Sequence, residues 1–126
     1  MKKAAIEFRE VAKGLWIWRV EHPDWEPNQG WDPIVASTCV KSGGEIFVFD
    51  PIAPEPTAKE IWKRLDAKPP TIVVVLKPDH VRHVDLFAKR YKARGFGPDR
   101  AVLYDLPETP LEPIQPGREL PGGIIA

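Results

Sequence analysis

Four residues that can bind a metal ion or transfer a proton lie close together in the sequence: Asp79, His80, His83 and Asp85. They follow the apolar run Thr71–Leu76, which is typical of a strand buried on both faces. Open α/β sheets bind their ligands at the carboxyl ends of such strands. Imidazole nitrogens and carboxylate oxygens are ligands that zinc accepts. We therefore identify Asp79, His80 and His83 as a candidate site for zinc or another divalent metal.

Each of these residues also has an ordinary structural interpretation. Asp79 has the type and position of a helix N-cap, for a helix that reaches about Tyr91. On that helix His80 and His83 would be partly exposed residues of the first turn, and Asp85 would be a solvated carboxylate. His-x-x-His spacing also occurs often by chance, so the sequence leaves both interpretations open.

Three residues elsewhere in the chain are candidates for ligand binding. Asp50 ends the predicted strand Glu45–Phe49, where its carboxylate would either orient a ligand or hold the turn. Trp25 and Trp31 lie in a proline-containing loop that spans residues 21–33 and would line a groove. These three side chains are predicted to contact a small ligand, with a purely structural role as the alternative.

The elements that must position these residues change in character midway along the chain. Compact apolar runs predict strands at 6–11, 15–20, 34–40 and 45–49, joined by turns at Gly14 and at Gly43-Gly44. The second half predicts a helix from a Thr57 capping box to about Ala67, the buried strand 71–76, and the helix that ends at Tyr91. Short strands at 94–96 and 101–104 and an extended proline-rich path over 105–121 complete the prediction. The fold class is therefore α/β (α+β), with one mixed β-sheet and two helices on one face.

Length and composition narrow the class of protein. The chain has 126 residues, which predicts one domain over 1–126, and it carries 18 basic and 18 acidic side chains. This balance argues against a nucleic-acid partner, and no apolar run is long enough to span a membrane. Cys39 is the single cysteine, so it forms no internal disulfide, and we expect a cytoplasmic protein with Cys39 as a buried thiol. The 15 prolines hint at a thermostable protein.

The element order and two local motifs resemble the amino-terminal half of the metallo-β-lactamase superfamily. One motif is the strand Glu45–Phe49 that ends in Asp50, and the other is the segment Leu-Lys-Pro-Asp-His-Val-Arg at residues 76–82. In the family, a His-x-His-x-Asp-His metal motif stands at that second position. The resemblance implies that the chain forms half of a four-layer αββα sandwich.

The chain departs from the family at the metal motif. With Asp79 and His80 on the last two positions of the motif, Val75 and Lys77 occupy the two earlier histidine positions. Valine cannot bind a metal, and a protonated lysine repels a cation. Even with His83 as a third ligand outside the pattern, the resemblance implies a degenerate metal site, so we expect no resident cofactor.

Three functions remain open. The first is a metallo-β-lactamase-fold half-domain that is not catalytic by itself and is completed by a second copy of the chain or by a complementing half-domain. The apolar residues Ile124-Ile125 near the end, together with a sheet face left bare by the helices, motivate this homodimer. The second is a metal-dependent hydrolase of a small ester, thioester or lactone, with its site assembled in a dimer. The third is a non-enzymatic module that binds a small molecule or a protein through Trp25 and Trp31.

Overall fold

A computed structural model of the chain describes residues 7–28 and 30–125, except for the side chain of Glu7. In chain order the strands are β1 (Glu7–Ala12), β2 (Leu15–Glu21), β3 (Ile34–Ser42), β4 (Glu45–Phe49), β5 (Ile72–Val74), β6 (Arg94–Gly97) and β7 (Leu111–Pro113). Helix α1 (Lys59–Ala67) lies between β4 and β5, and helix α2 (Val84–Tyr91) lies between β5 and β6. Short 3-10 helices occupy Arg100–Val102 and Pro121–Gly123.

The seven strands form one sheet in which the spatial order is the same as the chain order. Strands β1 to β4 are an antiparallel meander, and Gly14 makes the first turn with a φ of 76° that favours glycine. Strands β4 to β7 pair in parallel, because α1, α2 and the segment 98–110 each return the chain to the same end of the sheet. The predicted α+β class with one mixed sheet is confirmed. Residue 6 of the first predicted strand and Ala126 lie outside the described residues.

Both helices pack on one face of the sheet, as predicted. Their buried side chains share a core with alternate residues of the central strands: Ile61, Leu65, Val84 and Phe87 with Trp16, Trp18, Val48 and Val73. The ring of Phe87 lies between two indoles, stacked 5.9 Å from Trp18 and 5.9 Å from Trp62. Burying a side chain of this size contributes roughly 1.5–3 kcal/mol, so this stack is a main attachment of the helices to the sheet.

The other face of the sheet is not bare over its central strands. Phe47, Ile72, Val74 and Phe96 are buried there, and Leu120 packs into the same cluster. The segment that carries Leu120 is fixed by a hydrogen bond from Ser42 Oγ to the carbonyl of Gly122, at 2.7 Å. The expectation of a bare second face is therefore wrong at β4, β5 and β6, because the chain folds back and covers them itself.

Two predicted helix starts are also wrong. Helix α1 begins after Ala58, and the Thr57 hydroxyl bonds Glu55 instead of forming a capping box. Helix α2 begins at Val84 and not at Asp79. The reason is Arg82, whose φ of 45° lies in the left-handed region and cannot continue a helix.

The predicted pattern after β6 is corrected in two places. A 3-10 helix at Arg100–Val102 replaces the strand expected at 101–104, because Asp99 accepts a hydrogen bond from the amide of Ala101. The extended proline-rich path contains β7, which pairs with β6.

Candidate functional site

The candidate site is a cleft of about 610 Å³ at one edge of the sheet. The carboxyl ends of β2, β4 and β5 meet at this edge, because β2 and β4 both run antiparallel to β3 and β5 runs parallel to β4. Side chains lining the cleft include His22, Trp31, His80, Arg82, His83 and Tyr104. The chain has three histidines, so all of them face this one cleft.

The backbone of Asp50 is fixed from three directions. Its amide donates to the carbonyl of Val74 at 2.8 Å, and its carbonyl accepts from Ser37 Oγ at 3.1 Å and from Arg82 Nη1 at 2.8 Å. Asp50 has a φ of 52°, a left-handed conformation that an L-residue adopts at a cost. The surrounding hydrogen bonds hold that conformation where β4 ends.

The buried carboxylate of Asp50 has a partner for each oxygen. Oδ1 accepts the amide proton of Leu76 at 2.7 Å, and Oδ2 lies 2.9 Å from Nδ1 of His80. Asp50 therefore connects the ends of β4 and β5. The contacts agree with the predicted turn-holding role of Asp50, and a role in orienting a ligand stays a prediction.

The contact with Asp50 determines the proton positions on His80. A carboxylate only accepts hydrogen bonds, so Nδ1 of His80 carries a proton, and in the neutral ring Nε2 has the lone pair. The side chain of His80 is 23% exposed, and its Nε2 lies 3.9 Å from Oδ1 of Asp79. His80 thus presents a proton acceptor to the cleft.

His83 has the opposite arrangement. Its Nδ1 accepts the amide proton of Ala53 at 2.7 Å, so the neutral ring carries its proton on Nε2. Burial lowers the pKa of His83; Asp24 opposes this effect and Arg82 adds to it. A metal ion on Nε2 would require moving that proton to Nδ1 and breaking the bond from Ala53. Of the three residues predicted to bind a metal, His83 is the least suited to do so.

His22 repeats the pattern of His83. Its Nδ1 accepts the amide proton of Asp24 at 3.0 Å, and its ring meets Trp31 edge to face at 5.3 Å. Burial lowers the pKa of His22, although the charge of Asp24 acts in the other direction. His22 therefore also presents a protonated Nε2 as a donor.

Arg82 joins the two sides of the site. Its Nη1 donates to the carbonyls of Ala36 and Asp50, at 3.0 and 2.8 Å. Burial lowers the pKa of its guanidinium, while Asp50 and Asp79 favour the charged form. Two carbonyls use Nη1, and the side chain also lines the cleft as a fixed cation.

The two tryptophans of the 21–33 loop have different positions. Trp31 is 41% exposed and lines the cleft. Trp25 donates from Nε1 to the carbonyl of Trp31 at 2.7 Å, which fixes the loop. The structure therefore places Trp31 beside the candidate ligand site and gives Trp25 a supporting contact.

The metal prediction for Asp79, His80 and His83 stays a prediction. All three side chains line the cleft. Over residues 7–28 and 30–125, no group of three or more His, Cys, Asp or Glu side chains is placed to hold a metal ion. Asp79, His80 and His83 do not lie on a helix as the sequence predicts, because the chain from Asp79 to His83 is irregular.

Sequence reasoning missed three of the lining residues: His22, Tyr104 and Arg82 as a site residue. His22 follows β2 directly, and the strand-end argument used for Asp79 would have found it. The backbone amide of Tyr104 donates a hydrogen bond to the carbonyl of Pro78, at 3.0 Å, and this bond holds Tyr104 beside the cleft. No pattern in the sequence predicts such a backbone contact.

Two other residues singled out from sequence have structural roles. Asp85 was interpreted as a solvated carboxylate, but it accepts the amide protons of Glu108 and Thr109, at 2.9 and 2.8 Å. It therefore anchors the loop that leads to β7. Cys39 is buried, as predicted, and burial raises the pKa of its thiol to about 11, which keeps it protonated and unreactive.

The described helices and two comparisons with known proteins all give negative results. In the described part of the chain, no helix has the length and apolar character needed to cross a membrane. No protein-family model matches the chain, and a search of curated proteins finds no match either.

Proposed function

We propose that the chain is the amino-terminal half of a metallo-β-lactamase-like fold whose cleft binds a small molecule through hydrogen bonds, with no metal ion required. The observation that carries the proposal is the convergence of all three histidines on one cleft. Histidines scattered for structural reasons would have no cause to gather at one edge of the sheet. The cleft volume, about 610 Å³, suits a small organic ligand.

The polar groups of the cleft indicate the kind of ligand. His22 and His83 offer N–H donors, His80 offers an acceptor, and Arg82 adds a positive charge. Trp31 supplies an apolar wall. A compact molecule with a carbonyl group and a short apolar part matches these features, which favours small esters, thioesters and lactones.

Binding is tested by titrating γ-butyrolactone and the thioester S-acetyl-N-acetylcysteamine while recording amide correlation spectra. We expect shifts confined to residues around the cleft, and their loss in Trp31→Ala. Leu86→Ala is the matched control, because Leu86 is a large, exposed apolar residue of α2 that does not line the cleft. Shifts spread over the surface, or equal affinity in Trp31→Ala, would contradict the proposal.

We also propose that a second copy of the chain covers the remaining apolar surface on the sheet face opposite the helices. Ile17, Val40 and Phe49 are only half-buried there, although Val40 and Phe49 pack against the cluster that contains Leu120. Light scattering of an untagged sample tests this directly. A dimer is expected, and a monomer at high concentration would contradict self-association while leaving the binding proposal intact.

A metal-dependent hydrolase is the second candidate, favoured by one contact. His80 is oriented by a carboxylate, as metal-binding histidines usually are, and Asp79 Oδ1 lies 3.9 Å from its free Nε2. Elemental analysis of untagged protein distinguishes the two functions. About one zinc, iron or manganese ion per chain that is lost in His80→Ala would favour the hydrolase; a metal-free protein would remove it.

A further inference from the structure

We propose that His80 acts as a general base, without a metal ion, in the hydrolysis of a small ester or thioester bound in the cleft. The inference rests on the proposed function, because the substrate has to enter the same cleft. It adds an activity and assigns it to one nitrogen atom, Nε2 of His80. The carboxylate of Asp50 is assigned the positioning role.

The arrangement of Asp50 supports a prepared base. A general base must keep its lone pair on the side that faces the substrate, which requires a fixed ring and a fixed tautomer. Asp50 Oδ2 fixes Nδ1 of His80 at 2.9 Å, and Leu76 holds the other carboxylate oxygen at 2.7 Å. The left-handed backbone of Asp50 at φ 52° is maintained for this contact, as strained residues at functional sites often are.

Of the three histidines, His80 is the one suited to this part. His22 and His83 each accept a backbone amide proton on Nδ1, so their Nε2 atoms are already protonated. They could take a proton from water only on Nδ1, which would break those hydrogen bonds. Both histidines and Arg82 line the same cleft, where their N–H groups would donate to a carbonyl oxygen that becomes negative.

The reaction balances with water as the only co-reactant. Nε2 of His80 takes a proton from water as the water oxygen bonds to the acyl carbon, and the carbonyl electron pair moves to its oxygen. The carbon–oxygen or carbon–sulfur bond of the leaving group then breaks as the carbonyl re-forms. The leaving alkoxide or thiolate takes the proton back from the imidazolium, giving an acid and an alcohol or thiol.

The test measures hydrolysis of para-nitrophenyl acetate by the full chain in the presence of a metal chelator. His80→Asn is the informative variant, because its amide nitrogen can replace Nδ1 as donor to Asp50 while the base at Nε2 is removed. We expect kcat to fall by about 100-fold or more, since general bases contribute at least that much. We also expect the wild-type rate to be slower in heavy water.

The control variant is Asp66→Asn. Asp66 is a carboxylate of α1 whose hydrogen-bonded partners, Arg90 and Tyr91, both lie on α2, and it does not line the cleft. It should retain the wild-type rate. A wild-type rate in His80→Asn, or accumulation of an acetylated histidine without a solvent isotope effect, would overturn the general-base proposal.

Binding of para-nitroacetanilide, an amide that resists hydrolysis, separates this proposal from the proposed function. If the amide shifts cleft resonances but the ester is not hydrolysed above the rate in buffer, the general-base proposal fails and ligand binding stands. If the amide does not bind and no lactone or thioester does, both fail. A rate that appears only after zinc is added would also overturn the proposal and favour the metal-dependent alternative.

Discussion

Nδ1 of His80 lies 2.9 Å from Oδ2 of Asp50, so a buried carboxylate decides which ring nitrogen carries the proton. At His83 the backbone amide of Ala53 decides the opposite. Two histidines that are close in sequence therefore present different atoms to the same cleft, one an acceptor and the other a donor. Spacing in the sequence carries no information of this kind.

The first prediction concerns Asp50→Asn. The neutral side chain no longer favours a proton on Nδ1 of His80, so we expect the ring to populate the other tautomer. The altered contacts around a buried polar group should lower the free energy of unfolding by roughly 1–3 kcal/mol. Nitrogen chemical shifts of the imidazole ring report the tautomer, and urea denaturation reports the stability.

Asp66→Asn is the control for this change. Its carboxylate bonds Arg90 and Tyr91, but at a site where the Asp66 side chain is 48% exposed. Exposed ion pairs contribute about 0–1 kcal/mol, so a smaller loss of stability and no change at His80 are expected. Equal effects of the two substitutions would show that Asp50 has no special role.

The second prediction is a pH dependence of stability. Burial lowers the pKa of His83 and of His22 below their ordinary value of 6.5. The unfolded chain therefore binds protons at a higher pH than the folded chain does. The free energy of unfolding should be highest above pH 6.5 and should decrease as the pH falls from 6.5 through the lowered pKa values of the folded chain. Urea denaturation at several pH values measures this decrease.

A matched variant isolates the contribution of His83. In His83→Asn the amide oxygen can accept the proton from Ala53 in place of Nδ1, and the titrating group is gone. We expect a flatter stability profile below pH 6.5, with the remainder due to His22. A profile as steep as that of the wild type would contradict the assignment.

The third prediction concerns the support beneath the site. Trp18 is fully buried and donates from Nε1 to the carbonyl of Ile52 at 2.9 Å, directly after the Asp50 turn. Trp18→Phe leaves that carbonyl without its hydrogen-bond donor, which should lower the free energy of unfolding by about 1–3 kcal/mol. The smaller side chain also leaves a cavity, which adds to this loss. Trp31→Phe is the comparison, since Trp31 is 41% exposed and its change should cost under about 0.5 kcal/mol. Urea denaturation measures both.

The fourth prediction concerns the segment that covers the second sheet face. A Cβ at Gly122 would lie 2.5 Å from the carbonyl oxygen of Ser42, so Gly122→Ala should displace the segment around Leu120. Phe47 and Phe96 would then become accessible, and binding of an apolar fluorescent dye should increase.

Gly123→Ala is a close control for this steric effect. Gly123 has a φ of 88°, similar to the 82° of Gly122, but nothing lies within 4 Å of its added Cβ. In Gly123→Ala the free energy of unfolding should fall only by the cost of placing alanine in a left-handed backbone, roughly 1–2 kcal/mol. Dye binding should not increase. Dye binding that rises equally in both variants would contradict the steric explanation.

The sequence predicts the fold best where its signals are local. Compact apolar runs and the turn glycine Gly14 predict β1 to β4 nearly to the residue. The start of α2 is missed because Arg82 adopts a left-handed conformation while its guanidinium reaches carbonyls far away in the chain. Strand β7 is missed because its pairing with β6, and not its own three residues, makes it a strand.

The site shows the same division. Asp79, His80 and His83 are found from their types and from the strand that precedes them, and all three line the cleft. The pairing of Asp50 with His80 and the arrival of His22 depend on which strand ends meet in space. Both are long-range contacts; the strand-end argument reaches His22 once β2 is assigned, but nothing in the local pattern predicts the pairing of Asp50 with His80.

The agreement between spatial and chain order in the sheet has a consequence for how the protein is made. Each strand from β2 to β7 pairs with the strand immediately before it in the chain, so its template is already synthesised when it emerges. Assembly can therefore proceed from the amino-terminal side during translation, with no strand waiting for a later neighbour. The segment around Leu120, which crosses back over β4 to β6, is the last to be made among these contacts, and the nascent sheet exposes Phe47 and Ile72 until it arrives.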